Sequence, residues 1–190
     1  VSMKKLAVFG SGKGGNAENI YNYFLASSKI KVVLFCTNNK NAFIVARAKK
    51  LNIPIICIKK EGLSDFNVLQ KELALYSVDY IILAGFLLKI PFEMICSYQN
   101  RIINIHPSLL PKYGGRGMYG DNVHKAVLAN NESESGITIH FVNKNYDEGR
   151  VILQKKCVIS SNETVDSLKK KINDLEFKYF PKTIEKTIFK

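Results

Sequence analysis

No pair of cysteines stands close together in this sequence: Cys36, Cys57, Cys96 and Cys157 are widely spaced, with no histidine at ligand spacing. A zinc knuckle and a disulfide framework are therefore excluded, and the four read as small core or strand residues of a reducing compartment. Long apolar runs are also missing, so no segment suits a membrane span, and no apolar leader precedes a cleavage site. The expectation is a cytoplasmic protein without a membrane partner. Acidic residues are short, 16 against 28 Lys and Arg, leaving a formal charge of +12. The basic residues are dispersed, however, as Lys4-Lys5, Lys49-Lys50, Lys59-Lys60, Lys155-Lys156 and Lys169-Lys170-Lys171. No basic tail results, so the charge predicts attraction for small anionic substrates and no nucleic-acid partner. Tryptophan is absent and histidine occurs three times, which makes each histidine individually weighable.

What is present is a β-α rhythm. Apolar runs at 5–9, 31–36, 55–58 and 80–84 alternate with helical periodicity over about 19–26, 41–51 and 66–76. Nearly continuous apolar strands separated by helices indicate a parallel sheet covered on both faces. The rhythm then changes. A fifth strand over 101–106 leads into a glycine-containing loop and a helix from about 122 to 129. Segments 137–142 and 151–154 pair as antiparallel strands, and an apolar stripe (Val165, Leu168, Ile172, Leu175, Tyr179) marks a final helix that Pro181 should kink or break. With 46% apolar residues, no repeat and no linker, the chain reads as a single α/β domain with a Rossmann-like, mostly parallel sheet and antiparallel C-terminal strands.

Three places carry chemistry. Asn104 and His106 are two apart on the fifth strand, so both side chains point to one side, and Pro107 ends the strand there. Open α/β sheets place ligands at the carboxyl ends of such strands. Between the first strand and first helix, Gly10-Ser11-Gly12-Lys13-Gly14-Gly15-Asn16 has four glycines in its first six positions. Its backbone N–H groups suit a single phosphate monoester, whereas the spacing fits neither a P-loop nor a strict dinucleotide fingerprint. Asp147 lies in the Tyr146-Asp147-Glu148-Gly149 turn, which by itself is ordinary turn chemistry. His140 reads as a hydrogen-bonded sheet histidine, and His124 as a surface or loop-supporting one.

Together, the glycine loop, Leu83-Ala84-Gly85-Phe86, Asn104 to Tyr113, and His140-Phe141-Val142 followed by Tyr146 to Gly149 resemble the glycinamide ribonucleotide formyltransferases. The resemblance runs nearly end to end. The N-I-H-P-S-L-L-P segment with a downstream Asp-x-Gly marks the folate-dependent formyltransferases in general, and the loop ending in Asn16 marks the ribonucleotide-using branch.

That resemblance implies transfer of a formyl group from 10-formyltetrahydrofolate, as co-substrate, to the amine of glycinamide ribonucleotide, a step of purine biosynthesis that needs no metal. It makes Asn104, His106 and Asp147 the catalytic set, with a protonated His106 favoured by Asp147. It places the substrate phosphate on Gly14, Gly15 and Asn16, and the ribonucleotide on Asn173 and Glu176. It places folate against Leu87, Leu88, Lys89, Ile90 and Asn104 and against Asn143, Lys144, Asn145, Tyr146 and Asp147. Asn173 replaces a more common Gln, Leu88 stands where some members have Arg, and 64–67 lacks the Arg often found there. Arg116, in a glycine-rich loop over 114–123 expected to be mobile, is the alternative partner for a folate tail. On the same basis residues of about 1–100 form a ribonucleotide-phosphate half and about 101–190 a catalytic and folate half of one domain, as a monomer or homodimer.

Related formyl-handling families fit the chain less well. A methionyl-tRNA formyltransferase carries an additional nucleic-acid-binding domain and a formyltetrahydrofolate hydrolase an N-terminal regulatory one; neither is expected in 190 residues. A silent phosphate- or RNA-binding module conflicts with intact Asn104, His106 and Asp147 and with the scattered lysines.

Overall fold

The computed structural model describes residues 2–59, 63 and 66–189. The seven strands make one sheet in the order β3-β2-β1-β4-β5-β6-β7. The chain forms two compact units, Val1–Ile103 and Asn104–Lys190.

In the first unit, β1 (Lys4–Phe9) runs parallel to β2 (Ile30–Thr37) and to β4 (Tyr80–Leu83), and β2 runs parallel to β3 (Ile55–Cys57). Leu6, Ala7, Val8 and Phe9 have no exposed surface, as a strand flanked on both edges and packed on both faces requires. Helices α1 (Gly15–Phe24), α2 (Phe43–Lys50), α3 (Phe66–Leu75) and α4 (Phe92–Ser97) accompany these strands. α1 turns Ala17, Ile20 and Phe24 inward, a spacing of three and four. The short α4, which buries Met94, has too few apolar positions to be visible as periodicity. Ser64 and Asp65, in the Arg-free stretch 64–67, lie outside the described residues.

In the second unit, β6 (Glu134–Phe141) and β7 (Val151–Val158) pair antiparallel, with α5 (Asp121–Ala129) and α6 (Val165–Ile188) alongside. β5 (Ile102–His106) straddles the boundary. β7 runs past the expected 154 because its polar residues (Gln154, Lys155, Lys156) still complete the backbone ladder of β6. α6 begins with a reciprocal cap: Thr164 Oγ1 accepts from Ser167 N–H at 3.1 Å and Ser167 Oγ from Thr164 N–H at 2.9 Å. Of the two outcomes expected at Pro181, a break does not occur: the helix runs on through it. Proline removes a single i→i−4 bond, while Phe180, Pro181 and Ile184 are buried together.

Cys36, Cys57 and Cys157 lie on strands as expected, with Cys36 buried, whereas Cys96 is exposed on α4 and is neither core nor strand. His124 is no surface residue: it is buried on α5, and burial first, then Lys169, outweighs Asp121 to lower its pKa. Among the described residues no helix is long and apolar enough to cross a membrane.

Gly149 shows how tightly the β6–β7 hairpin closes. A Cβ there would lie 1.6 Å from the Phe141 carbonyl oxygen and 3.3 Å from His140 Nδ1. Gly149→Ala must therefore reopen the hairpin, and we expect a loss on the order of 3 kcal/mol or more. Urea unfolding measures it directly; an unchanged midpoint would show that the backbone gives way freely.

Candidate active site

The period-two geometry of β5 puts Asn104 and His106 on one side, and β6 supplies a third polar side chain, His140. β6 and β7 slip register between Ile139 and His140, so Ile139 faces Leu153 while His140 faces Val151. Irregularities of this kind re-aim a side chain. The turn after β6 then brings back Asp147, whose backbone is left-handed at φ 55°.

These four residues form one network. Asn104 Nδ2 lies 3.1 Å from His140 Nε2. Asp147 Oδ1 is 3.7 Å from His140 Nε2, and Asp147 Oδ2 is 3.5 Å from His106 Nδ1. The Gly115 N–H donates to Asp147 Oδ2 at 2.9 Å. Each imidazole is held by a carbonyl: His106 Nε2 is 2.7 Å from the Tyr113 oxygen and His140 Nδ1 is 2.9 Å from the Phe141 oxygen.

A carbonyl only accepts, so both of those ring nitrogens carry hydrogen. With hydrogen on His140 Nδ1, Nε2 faces the Asn104 amide nitrogen as its acceptor. One Asn104 N–H is thereby committed and its geometry determines where the other points. In neutral His106 the bare nitrogen is Nδ1, the one facing Asp147.

Charge states follow from competing causes. Burial is the strongest influence on His106 and pushes its pKa below the usual 6.5; Asp147 and the Tyr113 carbonyl oppose this and do not overcome it. Asp147 does favour the imidazolium, but burial outweighs it, and His106 is neutral near pH 7. Burial would also raise the Asp147 carboxyl, but the neighbouring His140 and His106 rings and the Gly115 N–H together hold it below 3.8. The site rests as carboxylate, neutral imidazole and oriented amide.

Beneath it, Thr138 Oγ1 donates to the Ser108 carbonyl at 2.7 Å and accepts from Leu110 N–H at 3.0 Å and Gln154 Nε2 at 2.9 Å. The segment after His106 is thus tied to β6 and β7. The following loop is shorter than expected, since helix α5 already begins at Asp121.

The remaining candidates sit as follows. In the glycine loop, Gly14 caps α1 with φ 72°, and a Cβ on it would lie 2.7 Å from Ile44 Cβ. Its glycine is therefore required by packing as well as by any ligand. Leu87 is exposed and Ile90 buried in the irregular segment after Gly85, and the Leu87 N–H is already taken by Ser11 Oγ at 2.9 Å. Asn143, Lys144, Asn145 and Tyr146 form an exposed turn closed by Asn145 N–H on Asn143 Oδ1 at 3.0 Å. On α6, Asn173 is exposed and Glu176 buried.

The sequence reading does not reveal the Ser11–Leu87 contact or the place of His140 in the network. The signal for His140 was its position two residues beyond Thr138 and seven before Asp147.

A carboxylate, a neutral imidazole and an oriented amide at a strand end are the parts of a site for acyl-group transfer to a nucleophile. The chain belongs to the family described as formyl transferase, which matches residues 4–184. Its particular likeness is to phosphoribosylglycinamide formyltransferases. It is 40% identical over 188 residues to the chloroplastic enzyme of that name from Arabidopsis thaliana, covering 95% of this chain and 64% of the relative. It is 30% identical over 191 residues to the Bacillus subtilis enzyme, covering 98% and 95%. Thus the chain spans less than two thirds of the plant relative and nearly all of the bacterial one. The crystal structure of the Bacillus halodurans enzyme superposes with a TM-score of 0.86 at 32% identity, covering 96% of this chain and 94% of that one.

Proposed function

We propose that this protein transfers the formyl group of 10-formyltetrahydrofolate to the amine of glycinamide ribonucleotide, yielding formylglycinamide ribonucleotide and tetrahydrofolate in purine biosynthesis. The observation that carries the reading is the Asn104–His140–Asp147–His106 network, with its amide, carboxylate and neutral imidazole already oriented.

Folate supplies the formyl carbon. The chain's residues do the rest. Asn104, its amide fixed by His140, offers an N–H to the oxygen on which negative charge develops when the amine adds. His106 accepts the amine's proton on Nδ1, and Asp147, 3.5 Å away, stabilises the imidazolium so formed. His106 then returns that proton, directly or through water, to the folate nitrogen from which the carbon departs. One proton leaves the amine and one arrives at the leaving nitrogen, so the step balances.

Gly14, Gly15 and Asn16 hold the substrate phosphate through main-chain N–H groups at the start of α1. Asn173 and Glu176 contact the ribonucleotide. Folate lies against Leu87, Leu88, Lys89, Ile90, Asn104 and the 143–147 turn; the irregular backbone and buried Ile90 suit a flat heterocycle with polar edges. The reading includes a cytoplasmic setting and small-molecule partners only, with the protein as a monomer or homodimer.

The test offers 10-formyltetrahydrofolate with three rival acceptors: glycinamide ribonucleotide, initiator methionyl-tRNA and water. Formylation of the ribonucleotide alone is expected. Preferential formylation of the tRNA, or rapid release of formate without an acceptor, would overturn the assignment.

A further inference from the structure

The carbonyl groups of the glycine loop are held from outside it. Ile44 N–H, at the start of α2, donates to the Gly12 oxygen at 3.2 Å, and Arg47 Nε–H donates to the Lys13 oxygen at 2.8 Å. In a trans peptide the N–H points opposite to the C=O. Drawing the Gly12 and Lys13 oxygens toward α2 therefore turns the N–H groups of Lys13 and Gly14 away from it. Those two groups precede the first turn of α1, whose own N–H groups have no intrahelical acceptor. Consecutive N–H groups aimed to one side form an anion-binding concavity.

Arg47 is itself braced. Its guanidinium pairs with Glu18 on α1 and lies 5.2 Å over the Phe43 ring. Its charge is therefore largely spent on Glu18, while its Nε is spent on the loop. Nothing near Arg47 in the sequence foretells this, since Lys13 is 34 residues away.

We propose that Arg47 is a positioning residue for the ribonucleotide phosphate: it sets the loop's peptide planes through Nε and attracts the anion little by charge. The proposal rests on the reading of the loop as the phosphate site.

Side-chain chemistry supplies a discriminating test. Gln carries its Nε2 donor the same number of bonds from the backbone as Arg Nε, without charge, whereas Met has similar length and no donor. Lys keeps the charge and loses the planar Nε–H. Arg47→Met is expected to raise the ribonucleotide KM roughly tenfold, the usual scale of a lost hydrogen bond. Its kcat and folate KM should remain within about twofold of wild type, since Arg47 orients binding groups only. Arg47→Gln should recover most of the loss and Arg47→Lys less. Calorimetric titration of each protein with ribose 5-phosphate should follow the same order, and thermal melts identify any variant whose fold is impaired.

An unchanged ribonucleotide KM in folded Arg47→Met, or recovery by Lys and not by Gln, would overturn the positioning role. If wild-type protein bound no ribose 5-phosphate while still using the ribonucleotide, the phosphate reading of the loop would fall instead. Binding by wild type that persists undiminished in Arg47→Met overturns only the inference about Arg47.

Discussion

A folded His106→Ala protein is expected to lose roughly 10²- to 10⁴-fold in kcat while its ribonucleotide KM moves by less than about threefold. His106 is buried, its Nε2–H is committed to the Tyr113 carbonyl, and its Nδ1 is the bare nitrogen of the network. In the proposed mechanism His106 carries the transferred proton, and it takes no part in the proposed phosphate site. The same geometry fixes a pH dependence. Burial lowers the His106 pKa, so the bare Nδ1 persists at neutrality and is lost only as pH falls through a value below 6.5. Wild-type kcat should therefore hold at pH 7 and decline on the acid side. Loss of activity on raising pH from 6 to 8 would instead require an imidazolium. Near-wild-type kcat in His106→Ala would remove His106 from the mechanism.

The strands of the first unit are legible because buried parallel strands are apolar throughout, and Leu6 to Phe9 or Tyr80 to Leu83 need no partner to be recognised. Asn104 and His106 are legible for a related reason: a period of two fixes their common side. His140 is different. Buried polar residues on a strand are usually satisfied locally, and His140 does bond the Phe141 carbonyl. What brings it into the network is a register slip at Ile139 that its neighbours do not encode. Arg47 and Ser11 escaped notice because each acts through a backbone atom far along the chain, and backbone partners leave no pattern of side chains. Pro181 does not end the helix, because the burial around it offsets the lost hydrogen bond. The pull of Asp147 on His106 is legible in the sequence; the burial of the ring, which outweighs it, is not.

The second large effect belongs to Asp147, and the choice of substitution matters. Its φ of 55° lies in the left-handed region, where Asn is the best tolerated residue after glycine. Asp147→Asn therefore keeps the turn and retains an oxygen to accept the Gly115 N–H, which lies 2.9 Å from the native carboxylate. It removes the negative charge. Protonated His106 then forms beside a neutral amide, and kcat is expected to drop by roughly 10²–10⁴-fold, on the scale of a lost proton-transfer partner. The residual activity should show a displaced pH profile: Asp147 raises the His106 pKa, so without it that pKa falls further and the acid limb moves to lower pH. Stability carries a matching signature. Because the folded-state carboxyl titrates below its usual 3.8, its ionised form stabilises the native protein above that value and the contribution disappears as pH falls through the lower one. Wild type and Asp147→Asn should thus differ in melting temperature at pH 7 and converge in acid. An Asp147→Asn protein that keeps both its kcat and its acid limb would show that the carboxylate serves the turn alone.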